Sequence, residues 1–290
     1  MPLGFAPAGG FALQSRLSTP RFFVFLGLLG ASLLLGCVGF PTPLAPGLSG
    51  SVGLPHAGVL TKPAALPERG LGYRMFRNPS SARWGTSRLV ATIQSSSQKV
   101  YKKWPGAPLL IGDLSNLHGG ARNGHRSHRT GRDVDILLYC LTPDGRSIKS
   151  PGFVRFGADG LGETEDGTFV RFDTARNWEL VRALVTSKDA DVEWIFVARW
   201  LEALLIEYAR SRGEDLDLLW RAENVMLQPG DSAAHDDHFH LRIACTPEET
   251  IAGCTSHGPS WPWLPPSPTL AEAAFSDEEL IAMMLEDLSL

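Results

Sequence analysis

Residues 133–140 read DVDILLYC, and residues 238–244 read HFHLRIA. Each stretch begins with polar and apolar residues in strict alternation. On a β-strand, successive side chains point to opposite faces. Asp133 and Asp135 therefore share one face of the first strand, and Val134 and Ile136 share the other. In the second strand His238, His240 and Arg242 lie on one face, and Phe239, Leu241 and Ile243 face the core. Two carboxylates side by side at the mouth of a sheet need a cation or hydrogen bonds to compensate them.

Around these two strands the pattern predicts a short buried strand over Pro108 to Asp113 and a helix over 86–101. Further helices are expected over 177–188 and 192–210. In the latter Trp194, Val197, Leu201, Leu204, Leu205 and Tyr208 share a helical face. Strands and helices mix without regular alternation, which makes α+β the expected class.

The chain has eight histidines, and six fall in two windows. His118, His125 and His128 lie in the first, a glycine-rich polar loop running into the Asp133 strand. His235, His238 and His240 lie in the second. If the two strands are neighbours, His128, Asp135, His238 and His240 converge. Two imidazoles and one carboxylate leave an open coordination position on zinc, the catalytic rather than the structural pattern. Non-haem iron takes the same ligand types; a secreted context and the absence of any visible cosubstrate site favour zinc. His56 and His257 lie in Pro/Gly-rich stretches and read as solvated. His118, beside Gly119-Gly120, reads as a loop hydrogen-bonding residue.

The chain is 290 residues long, with 43% apolar and 20% charged residues and a net charge of −4. That composition excludes wholesale disorder and carries no electrostatic footprint for nucleic acid. Residues 22–36, FFVFLGLLGASLLLG, follow Arg16 and Arg21 and suit the core of a signal peptide. The stretch ends Leu34-Leu35-Gly36-Cys37, which resembles a bacterial lipobox. Residues 1–36 are thus expected to be a lipoprotein signal, with lipid on Cys37 anchoring the chain at the membrane. An ordinary secretory signal or an uncleaved anchor is the alternative. Each reading puts the remainder outside the cytoplasmic membrane, on the periplasmic side of the cell envelope. Residues 37–69 are expected to form a Pro/Gly-rich tether and residues 70–257 the folded domain, with 140–175 as a rim loop. Residues 258–290 read as a Pro/Trp-rich linker and an acidic helix bearing Ile281, Met284, Leu285 and Leu288 on one stripe. Cys245 and Cys254 flank a polar loop and suit a local disulfide; Cys140 ends an apolar run and reads as a buried thiol.

The arrangement of His128, Asp135 and, far downstream, His238-x-His240 resembles the LAS metallopeptidases. The closer similarity is to the penicillin-insensitive murein endopeptidase family. Gly112-Asp113-Leu114-Ser115, Gly119-Gly120 and His125-x-x-Ser127-His128-x-x-Gly131-x-Asp133-Val134-Asp135-Ile136 look like its first block. His235-x-x-His238-Phe239-His240-x-Arg242 looks like its second. Gly72-Tyr73-Arg74 and Arg83-Trp84-Gly85 resemble its approach to the first block, and the similarity spans about residues 55–255. The resemblance implies a small antiparallel sheet with flanking helices and long loops. It implies zinc on His128, Asp135 and His240, His238 as general base and His235 as an active-site partner. It puts His125 near the site. Asp133 is either an acceptor for a ligand imidazole or a strand-edge hydrogen-bonding group. The implied substrate is the D-alanyl–meso-diaminopimelyl peptide cross-link of peptidoglycan. A D,D-carboxypeptidase or dipeptidase of the same fold is the first rival, and a non-catalytic, lipid-anchored zinc-binding module the second. Ser96-Ser97-Gln98-Lys99 is formally S-x-x-K, but no K-T-G accompanies it, which argues against a serine penicillin-binding enzyme.

Overall fold

A computed structural model describes residues 50–77, 80–230, 232–256 and 258–266. The apolar leader, Cys37 and the acidic C-terminal stripe lie outside the described residues.

The first described element corrects the expected tether. β1 (Gly50–Leu54) and β2 (Ala57–Thr61) form an antiparallel hairpin, with Gly50 opposite Thr61 and Leu54 opposite Ala57. The hairpin is stitched into the domain. Gly53 N–H donates to Gly253 O, Leu60 N–H donates to His118 O, and the Ser51 hydroxyl accepts from Arg132 Nε. Glycine reads as a linker residue in sequence, but here it permits close approach. A Cβ on Gly58 would lie 2.2 Å from Val52 O. Folded sequence thus begins about twenty residues before Gly70.

β3 (Ala64–Ala65), β4 (Arg69–Gly70), β5 (Tyr73–Met75) and β6 (Trp84–Gly85) follow, with β3 paired to β6. α1 (Ser87–Lys103) matches the expected helix. Its N-cap Thr86 accepts from Leu89 N–H, and it buries Leu89, Val90, Ile93 and Val100. Next come β7 (Leu109–Ile111) and β8 (Asp133–Leu137).

The expected rim loop is instead a second small sheet. It is built from β9 (Cys140–Leu141), β10 (Ser147–Ile148), β11 (Leu161–Glu163) and β12 (Phe169–Phe172), in the order β10-β9-β12-β11. α2 (Thr174–Val185) is capped by Asp173.

The single helix expected over 192–210 divides in two. Val192–Phe196 is strand β13, and only Arg199–Ser211 is helix, α3. The apolar spacing fits one helix throughout. However, VEWIF is rich in β-branched and aromatic residues, and its ladder partners decide its conformation. α4 (Leu216–Val225), not anticipated, leads into β14 (Met226–Leu227), and β15 (His238–Ile243) and α5 (Pro247–Ile251) follow.

The main sheet has the order β14-β13-β15-β8-β7-β5-β4. Its centre, β13-β15-β8-β7, is antiparallel, while β14 joins β13 and β5 joins β7 in parallel. This is the expected mixed class, with helices flanking the sheet. Phe239, Leu241, Ile243, Val134 and Ile136 fill the apolar face and are almost fully buried. Arg132, buried within the same unit, donates from Nη1 to Glu193 Oε2 at 3.1 Å and to Ile243 O at 3.0 Å.

Cys245 and Cys254 are disulfide-bonded, and Cys140 is a buried free thiol. The start of the Pro/Trp-rich stretch packs on the domain rather than leaving it. Trp261 Nε1 donates to Glu193 O, and the Trp261 ring lies edge-on to Trp194 at 5.3 Å. Among the described residues no helix is long and apolar enough to cross a membrane.

Candidate metal centre

Strand register builds the site. β15 runs antiparallel to β8, with His240 opposite Asp135 and Arg242 opposite Asp133. Period-two alternation turns all four side chains away from the apolar core. The loop from β7 to β8 delivers His125 and His128 to the same place.

Asp135 is the hub. Its Oδ1 lies 3.2 Å from His128 Nε2, 3.2 Å from His240 Nδ1 and 3.5 Å from His238 Nε2. Its Oδ2 lies 3.6 Å from His125 Nδ1. His125, His128 and Asp135 offer ligand atoms within 4.8 Å of one another, and so do His235, His238 and His240. The Asp135–His240 contact joins the two sets.

The far nitrogens of the rings fix the chemistry. His128 Nδ1 is 3.0 Å from Leu114 O, a group that can only accept. The Nδ1–H therefore donates there, and in this tautomer the lone pair lies on Nε2. Likewise His240 Nε2 lies 2.8 Å from Asp133 Oδ1 and donates to it, which leaves the lone pair on Nδ1. Both lone pairs face the Asp135 carboxylate, and neither His128 Nε2 nor Asp135 Oδ1 has a hydrogen-bond partner, although both are buried. Acceptors opposed to acceptors in a buried cluster are unfavourable unless a cation lies among them. Ligand atoms of a tetrahedral zinc, each about 2.0–2.1 Å from the ion, lie about 3.3 Å apart. The two 3.2 Å separations around Asp135 Oδ1 agree with that spacing. The residues present therefore fit a zinc ion.

Backbone conformation at the site is unusual. His128 and His235 have φ of 63° and 57°, the left-handed region that costs a non-glycine residue about 1–3 kcal/mol. Gly131, at φ 73°, turns the chain into β8 while its carbonyl accepts from Thr86 N–H, and a Cβ there would strike Leu60. Such strain persists where surrounding contacts over-determine it; at His128 these include the Leu114 bond and near-complete burial.

Electrostatics follow from burial and neighbours. Burial raises the pKa of the Asp135 carboxyl, but positive charge on His128 and hydrogen bonds from protonated His128, His238 and His240, protons lying where a bound cation would otherwise lie, outweigh it and hold it well below its ordinary value. Asp133 is buried too, yet Arg242 and His240 keep it ionised. His235 is pushed down to about 4 by burial and by the neighbouring His238 and His240, so it is a neutral imidazole near pH 7. His238 loses some basicity to burial, but Asp135 and Asp237 carry it up to about 9.

His125, His128, Asp133, Asp135, His235, His238 and His240 all come together. The ring of His235 is 4.9 Å from that of His238, and its Nδ1 lies 2.8 Å from Ala233 O. His118 is not in the cluster contacts, and its carbonyl serves the β2 hairpin. Three participants escaped sequence reasoning. Asp237 Oδ1 accepts from His238 Nδ1 at 2.5 Å, and its only signal was adjacency to that histidine. Asp113 Oδ2 lies 3.2 Å from His125 Nε2; it stood in the first sequence block without an assigned role. Phe153 sets its ring edge-on to His238 at 5.3 Å, and nothing in its local sequence marked it.

Comparison with known proteins places this arrangement among relatives. A family model described as penicillin-insensitive murein endopeptidase matches residues 51–261. Three proteins of that name are similar to the chain. The one from Haemophilus influenzae is 26% identical over 242 residues, covering 79% of this chain and 78% of its own. The one from Klebsiella pneumoniae strain 342 is 28% identical over 233 residues, with coverage of 77% and 79%. The one from Escherichia coli O157:H7 is 30% identical over 258 residues, with coverage of 84% and 88%.

Proposed function

The chain belongs to the penicillin-insensitive murein endopeptidase family, and from that membership we propose that it is a zinc-dependent peptidase cutting the D-alanyl–meso-diaminopimelyl cross-link of peptidoglycan. The observation that carries the reading is the buried Asp135 Oδ1, which has no hydrogen-bond partner and lies 3.2 Å from both His128 Nε2 and His240 Nδ1.

In this reading His128, Asp135 and His240 hold zinc. The bound ion would polarise the scissile carbonyl and acidify water. The protein's own groups do the rest. Leu114 O and Asp133 fix the two ligand rings in the tautomers that leave their lone pairs free. Asp237 orients His238 through Nδ1, and Nε2 faces Asp135. Asp135 is one of the two carboxylates that raise His238, and a bound zinc would neutralise its charge, which would lower His238 and free Nε2 as the proton acceptor. His238 then returns that proton to the leaving amine, a role suited to an imidazole. His235, neutral and packed against His238, is placed to hydrogen-bond the developing oxyanion or to orient the substrate. A metal route also accounts for indifference to β-lactams, which acylate serine.

Delivery to the periplasmic side of the envelope, with lipid on Cys37, is part of the proposal and rests on the leader sequence alone. Loss of lipid labelling in Cys37→Ala tests it.

Purified cross-linked muropeptide dimers decide the reaction. Conversion to monomers, abolished by a chelator and restored by zinc, is expected. Release of terminal D-alanine alone would assign the chain to the carboxypeptidase rival. Tight zinc binding without any cleavage would assign it to the binding-module rival.

A further inference from the structure

Beside the metal centre one carboxylate oxygen is oversubscribed. Asp113 Oδ2 receives Arg122 Nη2 at 3.0 Å, Arg77 Nη1 at 3.3 Å and His125 Nε2 at 3.2 Å. A carboxylate oxygen has about two lone-pair directions, so three donors exceed what it can satisfy well. The charges do not balance either: two guanidiniums, which never deprotonate near neutral pH, share one carboxylate. Burial would raise the pKa of Asp113, yet the hydrogen bonds of His125 and Arg122 and the charges of Arg122 and Arg77 hold it below its ordinary value.

The two arginines are not equivalent. Arg122 is partly buried and also donates to Asn116 Oδ1 at 3.0 Å, which sets its position. Arg77 makes the longest of the three contacts, and its side chain is 62% exposed. Arg77 follows β5, and its guanidinium carbon sits 6.0 Å from the centre of the Phe76 ring. Phe76 in turn packs edge-on against Phe153 at 5.6 Å, and Phe153 touches His238. On its other side Asp113 reaches the centre through His125, whose Nδ1 is 3.6 Å from Asp135 Oδ2. Arg77 is thus a loosely held, solvent-facing cation on an aromatic wall that begins at the proposed proton-transfer histidine.

We propose that Arg77, supported by Arg122, is a specificity-determining residue that binds a substrate carboxylate adjoining the scissile bond. This rests on the functional reading above. In the proposed cross-link the carbon bearing the scissile nitrogen also carries a free carboxylate, which supplies the anion this surplus charge lacks. A planar guanidinium fork suits a carboxylate better than a lysine would.

The test uses two muropeptide dimers that differ only at that carbon, one with the free carboxylate and one with its primary amide. The intact protein should prefer the acid by about tenfold or more in kcat/KM, the scale of one charge-assisted hydrogen bond. In Arg77→Met the preference should collapse towards one, through a higher KM for the acid rather than a lower kcat. Arg77→Lys, which keeps the charge but loses the fork, should fall between. Arg77 is exposed, so these variants test recognition rather than folding. Equal cleavage of both dimers by the intact protein overturns the proposal, as does a preference that survives in Arg77→Met. Cleavage of neither dimer by the intact protein overturns the functional reading, and this proposal with it.

Discussion

His240 stands directly opposite Asp135 across the β8–β15 ladder, with His240 Nδ1 3.2 Å from Asp135 Oδ1. The other face of the same ring is tied to Asp133 two residues away, so one strand supplies both a partner for the cation and the group that aims the histidine. A single register thus sets the centre, and a slip of one residue would turn His240 into the apolar core.

Asp133→Asn keeps the size of the side chain but removes the carboxylate that accepts from His240 Nε2 and Arg242 Nε. Zinc affinity should fall by about 10–100-fold, the usual effect of losing a group that orients a ligand. Competition with a chromophoric chelator measures it. Wild-type affinity in this variant would remove the orienting role.

His238 and His240 should separate cleanly. His238→Ala should bind zinc but lose at least about a hundredfold in muropeptide hydrolysis, the scale of a lost general base. His240→Ala should lose the metal itself. Metal analysis of the purified variants beside their rates checks both, and undiminished turnover in His238→Ala contradicts its role.

Arg132 and Glu193 form a buried ion pair. Replacing Glu193 by alanine strands a guanidinium in the interior and should cost about 3–5 kcal/mol. Urea unfolding of the two proteins gives the number, and a loss below about 1 kcal/mol would mean that the Ser51, Ile243 and Thr255 contacts of Arg132 suffice without the carboxylate.

Cys140 is buried, and burial pushes its thiol up to about 11 from an ordinary value of 9.0. A raised pKa on an acid favours the folded state only while the group stays protonated. Its contribution is complete below about pH 9 and is lost as pH rises through about 11. The native protein should resist thiol reagents at pH 8, and stability should decline over pH 9–11 more steeply than in Cys140→Ala. Rapid labelling of the folded chain at pH 8 would contradict this.

The legible part of the molecule was the part governed by local period. Asp133/Asp135 and His238/His240 alternate along strands, and that alternation alone put them on one face. The helix over 86–101 was legible for the same reason. Val192–Phe196 was not, because its apolar spacing suits a helix, and only pairing with β14 and β15 makes it a strand. The β1–β2 hairpin escaped because its glycines serve close backbone contacts, which composition alone cannot tell from a linker. Asp113 escaped because it precedes His125 by 12 residues with no regular element between them, so no spacing rule joins them.

By itself the sequence determined which side chains could act together, since covalent order and strand pleat place the two aspartates and two histidines on common faces. The tertiary structure alone decided that those faces meet in register and that Arg77 and Arg122 crowd one oxygen of Asp113. It also decided that Asp237 and Phe153 complete the surroundings of His238. The reason is physical: alternation is a property of one strand, whereas register, loop closure and the sharing of a buried charge depend on segments whose separation in sequence carries no information about their distance in space.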